Sequence, residues 1–106
     1  MTEAKNTETI TLEEDAATED GQVLLPKGTV ITLRRPRGGA LRGANLGGLV
    51  RMEYDQIAMV APRITTPPLV PHIFAALDPA DVTQIAGEIA NFLLTSAARE
   101  ALFQRG

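Results

Sequence analysis

Asp78-Pro79-Ala80-Asp81-Val82-Thr83-Gln84-Ile85-Ala86-Gly87-Glu88-Ile89-Ala90-Asn91-Phe92-Leu93-Leu94 is the stretch on which the fold turns. Asp is a strong helix N-cap because its carboxylate accepts a free backbone N–H, and Pro79 suits the first helical position, where no N–H is needed. Asp81 adds negative charge in the first turn, favourable to the helix dipole. Val82, Ile85, Ala86, Ile89, Phe92 and Leu93 then recur at helical spacing and form one apolar stripe. No breaker follows before Gly106, so the spacing predicts a long amphipathic helix running through Ala97 and Leu102.

Upstream of this helix the signals are shorter. Residues 69–77 read as a short apolar helix, and Thr65-Thr66-Pro67-Pro68 as a clear break. Residues 53–60 carry Ile57, Met59 and Val60, with Pro62 expected to limit that helix at its end. Residues 40–52 place Leu41, Leu46, Leu49 and Val50 at mixed helical spacing, but Gly43, Gly47 and Gly48 each weaken a helix by about 1 kcal/mol. A broken or loosely packed helix is expected there, joined to the chain before it by Gly38-Gly39. Residues 29–35 are β-branched and stop at Pro36. Gln22-Val23-Leu24-Leu25 lies between the turn signals Asp20-Gly21 and Pro26-Lys27-Gly28, and Thr9-Ile10-Thr11-Leu12 alternates polar with apolar side chains. The fold class that follows is α+β: a small N-terminal antiparallel hairpin or meander, then three to four helices, the last long and amphipathic. Residues 1–8 read as a flexible acidic leader. Residues 9–106 read as a single domain, its β part at 9–36 and its helical part at 40–106.

Composition bounds the chemistry. A chain of 106 residues holds one compact domain, and its scarce aromatics leave the core to Leu, Ile, Val, Ala and Met. Without cysteine there is no disulfide, thiolate nucleophile or Cys-based metal site. The acidic, polar N-terminus reads against a secretory signal, and no apolar run approaches the roughly 20 residues of a membrane helix. The expectation is a cytoplasmic protein with no membrane partner. The net charge of −3 conceals an acidic first segment, with Glu13, Glu14, Asp15, Glu19 and Asp20, and a basic middle containing Arg34, Arg35, Arg37 and Arg42.

No catalytic or cofactor constellation emerges. His72 is the sole histidine and sits in an apolar run, Val70-Pro71-His72-Ile73-Phe74, which suits a structural residue. Asp78 and Asp81 are explained by capping rather than by a metal. Arg37-Gly38-Gly39-Ala40-Leu41-Arg42-Gly43 lacks the Gly-Lys-Ser/Thr ending of a phosphate loop and the spacing of a dinucleotide fingerprint. The reading is therefore a protein that is not an enzyme and that carries no catalytic, cofactor or metal residues. The basic cluster Arg34, Arg35, Arg37 and Arg42 supports an alternative, a small nucleic-acid-binding regulator. Single-strand binding also needs stacking aromatics, and none lies between Arg34 and Met52. Nucleic acid is thus the weaker partner, and an acidic protein surface the stronger.

Phe92, Leu93 and Leu94 are consecutive, so they span more than one helical face; Leu102 and Phe103 repeat the pattern. Either the domain grips the helix on both sides or the surplus forms a surface for self-association or a partner helix. The expected partner-binding residues are accordingly Arg34, Arg35, Arg37, Arg42, Phe92, Leu93, Leu94 and Phe103.

The ordered pair Leu33-Arg34-Arg35-Pro36 and Asp81-x-x-x-Ile85-x-x-x-Ile89-x-x-Phe92-Leu93 carries a family likeness. Over about residues 10–94 the chain resembles the tail assembly chaperones of Mu-like and related contractile-tailed phages. The resemblance implies a scaffold encoded by a phage or prophage, made before tail assembly and missing from the finished particle. It further implies that the protein coats the tape measure protein, keeps it soluble and helps recruit tail tube protein, with self-association into a homo-oligomer.

Overall fold

The structure, a computed structural model, describes residues 7–94. Strand β1, Thr7–Thr11, opens the described chain, followed by β2, Ala16–Ala17, β3, Val23–Leu25, and β4, Val30–Arg34. A 3-10 turn at Gly38–Leu41 leads to helices α1, Leu46–Val50, and α2, Tyr54–Ile64. Strand β5, Thr65–Thr66, helix α3, Pro71–Phe74, and helix α4, Pro79–Leu93, complete it. This is the α+β arrangement expected, with strands first and the longest helix last. Of the expected leader at residues 1–8, Thr7 and Glu8 lie in β1 and residues 1–6 lie outside the described residues, as does everything beyond Leu94, including Ala97, Leu102 and Phe103.

Of the two strand arrangements open to the sequence, the hairpin forms. β1 pairs antiparallel with β4, Thr7 opposite Arg34 and Thr11 opposite Val30, which sets Ile10 against Ile31 in the core. The Leu12 N–H donates to the Thr29 carbonyl at 2.9 Å and the Gly28 N–H to the Leu12 carbonyl at 2.8 Å. These bonds close the pair at its base, so residues 13–28 leave the sheet as an excursion. Within that excursion β2 and β3 make their own two-stranded ribbon. The third strand of the main sheet comes from β5, beyond α2, giving the order β1-β4-β5.

α4 packs across the sheet and against α1 and α2, burying Ile85, Ala86, Ile89 and Phe92. Full burial of such side chains contributes about 1.5–3 kcal/mol each, so this stripe stabilises the fold alongside Ile57, Val60, Ala61 and Ile64 of α2. Asp78 caps α4 as expected, its carboxylate accepting the Ala80 N–H at 3.0 Å, with Pro79 at the first position. The helix ends sooner than its sequence predicts. Leu94 is extended and its N–H bonds the Asn91 carbonyl in a tightened last turn. Among the described residues Phe92 is the last side chain of α4 that the core fully takes up.

Pro62 does not stop α2 at Val60; the helix passes through it to Ile64. Proline lacks an N–H for the carbonyl four residues back and crowds it, at a cost of about 3 kcal/mol in a helix interior. Here the loss falls in the closing turn, where Ala61 and Ile64 are buried. The buried Thr65 hydroxyl donates to the Ala61 carbonyl at 2.7 Å and accepts the Leu69 N–H at 2.9 Å, which stabilises the turn away from the helix.

The glycine-bearing middle is broken, as its composition predicts. α1 is one short helix whose cap, Asn45, accepts the Gly48 N–H at 2.9 Å. Gly48 is buried, and a Cβ there would stand 2.8 Å from Glu53 Oε1. The end of α1 is a six-residue loop closure: Glu53 N–H to Gly48 carbonyl, Met52 N–H to Leu49 carbonyl. That motif wants glycine at its left-handed position, yet Met52 occupies it with φ of 60°.

Candidate protein-binding surface

The expected arginines converge on one end of the molecule, but they are not equivalent there. Arg34 Nη2 donates to the Arg63 carbonyl at 2.8 Å and Nη1 to Thr66 Oγ1 at 3.2 Å, satisfying an orphan carbonyl at the end of α2. Arg63, which pattern reading did not single out, donates from Nη1 to the Ala40 and Arg42 carbonyls at 3.0 and 2.7 Å. It thereby holds the 3-10 turn against α2. The Arg35 guanidinium lies 6.0 Å from the Phe92 ring centroid, a cation–π contact of about 0.5–1 kcal/mol where exposed. Arg37 and Arg42 are exposed in the joint. The fold thus brings the arginine cluster and the end of α4 together, a juxtaposition that the sequence left open.

Phe92 itself is 6% exposed and belongs to the core, against the expectation that it binds a partner. Leu93 is half-buried and packs on the same core, and Leu94 is half-buried at the cap. Phe103 lies outside the described residues. Of the described part of this apolar run, the core thus takes up Phe92 fully and Leu93 and Leu94 in part.

The larger apolar exposure is elsewhere. Leu46 is 55% exposed, Tyr54 49% and Met52 47%, with Val50 and Met59 also exposed on α1 and α2. The sequence signal was the excess of apolar side chains over helical faces in residues 46–59, which the glycines obscured. Tyr54 leans on Phe74, ring centroids 5.3 Å apart and planes tilted by 59°. From there a cleft of about 330 Å³ continues over Leu77, Pro79 and Val82. Met52 holds an exposed thioether in a conformation that costs a side-chain-bearing residue about 1–2 kcal/mol. Folding alone favours glycine there.

At the opposite end Asp81 stands in the first turn of α4, as expected, and has a further role. Its side chain is wholly buried. Oδ1 accepts the Glu13 N–H at 2.9 Å, Oδ2 the Glu14 N–H at 3.2 Å, and Gln84 Nε2 donates to Oδ1 at 3.0 Å. The carboxylate clamps the excursion to the start of α4. The same excursion joins the turn after α3 through the Ala17 N–H, which donates to the Ala76 carbonyl at 3.2 Å. Beyond the clamp, the exposed Asp20 carboxyl is held below the usual Asp range, chiefly by the Thr18 hydroxyl and then by backbone N–H groups.

His72 is exposed on α3. Among the described residues no three His, Asp or Glu side chains are grouped to hold a metal ion. No helix among them is long and apolar enough to cross a membrane.

Comparison with known proteins places this architecture. The family model described as phage tail assembly chaperone proteins, E, or 41 or 14, matches residues 9–94, from the start of β1's core-facing half to the cap of α4. Tail assembly protein E of Escherichia phage P2 is 38% identical over 63 residues, which are 59% of this chain and 69% of that protein. Tail assembly protein E′ of the same phage is 38% identical over 64 residues, 60% of this chain but 45% of the relative. The match therefore spans less than half of E′. No solved structure matches this one. With most of the chain covered by one family model, the chain belongs to the phage tail assembly chaperone family.

Proposed function

We propose that the protein is a non-enzymatic chaperone that binds the tape measure protein, keeps it soluble and helps to recruit tail tube protein. In this reading it acts in the cytoplasm of the host and is absent from the finished particle. The supporting observation is the set of exposed apolar side chains Leu46, Val50, Met52 and Tyr54 at α1 and the start of α2, with a cleft beside Tyr54, on a domain of this family. An exposed apolar patch of this kind suits the apolar stripe of a partner helix. Met side chains adapt to varied apolar surfaces, which fits a long partner contacted at many places. The nucleic-acid alternative is weaker, because Arg34 and Arg63 are engaged with backbone carbonyls and Arg35 lies over Phe92. Co-expression with the tape measure protein of the same phage tests the proposal. Soluble, co-purifying tape measure protein is the expected result; a partner that remains insoluble and never co-purifies overturns it.

A further inference from the structure

The described residues carry their charge at opposite ends. α4 begins where Asp81 receives the Glu13 and Glu14 amides and finishes where Phe92 meets Arg35. At 1.5 Å per residue these points lie about 16 Å apart along the helix. β1 and β4 run between the same ends, with Val30 beside the excursion and Arg34 at the far side. Glu13, Glu14, Asp15, Glu19, Asp20 and Asp78 surround the first end. Arg34, Arg35, Arg37, Arg42 and Arg63 surround the second, held together by the contacts among α2, β4 and the 3-10 turn. Among the described residues Lys27 lies in the acidic excursion, while Glu8, opposite Leu33, and Glu88, one turn before Phe92, are charges of opposite sign toward the arginine end. Glu13, Glu14, Glu19, Arg37 and Arg42 are all exposed.

We infer that the acidic end of one copy docks on the arginine end of a second copy, head to tail. Juxtaposing the two acidic ends, or the two arginine ends, sets like charges against each other and is disfavoured. Head-to-tail contact matches opposite charges and leaves one unused end on each side of the pair. Such a heterologous contact adds copies in a row unless its rotation closes a ring. The inference goes beyond the chaperone reading, since it concerns this chain alone and holds or fails without any tape measure protein. Its signature is salt sensitivity, because the Debye length is about 10 Å at 0.1 M salt and shorter above it.

Sedimentation velocity on the full chain is the test. Association that grows with protein concentration at about 50 mM salt, and weakens at least about tenfold by about 500 mM, is expected. Two charge-reversed variants sharpen it: Glu13→Lys with Glu14→Lys and Glu19→Lys, and Arg37→Glu with Arg42→Glu. Each alone should sediment as a monomer with an unchanged circular dichroism spectrum, and an equimolar mixture should associate again. Should a reversed variant fail to fold, the corresponding Gln substitutions are expected to weaken association in the native background. A wild-type monomer at high concentration and low salt overturns the inference. So does assembly unaffected by either reversal or by the Gln set, or a mixture of folded variants that stays monomeric.

Discussion

Replacing Asp81 by Ala is expected to destabilise this small domain by about 3–5 kcal/mol, because two backbone amides lose a charged acceptor at once. A net hydrogen bond to a charged group contributes about 1.5–3 kcal/mol, and an amide left unpaired in a buried place costs about 1–3 kcal/mol. The Glu13 and Glu14 bonds are part-buried, which keeps the sum towards the lower half of that range. Against a total stability of about 5–15 kcal/mol for a domain of this size, the variant stands close to unfolding. Asp78→Ala removes one exposed cap bond to Ala80 and should cost about 1 kcal/mol. The order of the two variants is the informative result. If Asp81 merely complemented the helix dipole, its loss would cost about 0.3–1 kcal/mol and rank with or below Asp78. Urea titrations followed by circular dichroism measure both, as shifts in midpoint at constant slope. Amide hydrogen exchange adds a local readout, with Glu13 and Glu14 exchanging faster in any Asp81 variant that stays folded. An Asp81→Ala cost below about 1 kcal/mol, or one smaller than that of Asp78→Ala, would refute the clamp.

Other substitutions probe the remaining features. Met52→Gly relieves the left-handed residue after α1 and should raise stability by about 1 kcal/mol in thermal or urea unfolding, while lowering retention of the tape measure protein if the thioether is a contact. Leu46→Asp should leave stability within about 0.5 kcal/mol, because the side chain is mostly in water, yet reduce the soluble fraction of a co-expressed tape measure protein. Thr18→Val removes the hydroxyl that lowers the Asp20 pKa, so the carboxyl should titrate at higher pH by NMR. In the native chain the depressed folded-state pKa means that this contribution is present above the unfolded value and lost as pH falls through the folded one. A native Asp20 titrating in the ordinary Asp range would contradict that account.

Local chemistry made much of this protein legible. Asp78-Pro79 announces the start of α4 because capping and a missing N–H act within a few residues. The stripe Ile85, Ala86, Ile89 and Phe92 announces its buried face because helical spacing is a property of the helix itself. Ile10, Leu12, Ile31 and Leu33 alternate for the same kind of reason, and the Leu-Arg-Arg-Pro and Asp81–Leu93 patterns sufficed to suggest the family. What lay beyond pattern reading depends on groups brought together from far along the chain. Asp81 and Glu13 are 68 positions apart, so nothing local distinguishes a dipole partner from a clamp. The strand order β1-β4-β5 needs residues 65–66 to return to the sheet after two helices and a 3-10 turn. α2 continues past Pro62 because the core receives Ile64, and α4 stops at Leu93, just past Phe92, its last side chain among the described residues that the core fully takes up. The candidate surface divides along the same line. The sequence by itself showed that the arginines were clustered and placed the apolar surplus at Phe92, Leu93 and Leu94, of which Phe92 is taken up by the core. Only the tertiary structure decided that Phe92 is buried beneath Arg35 while Leu46, Met52 and Tyr54 face water, because burial is decided by what other elements cover.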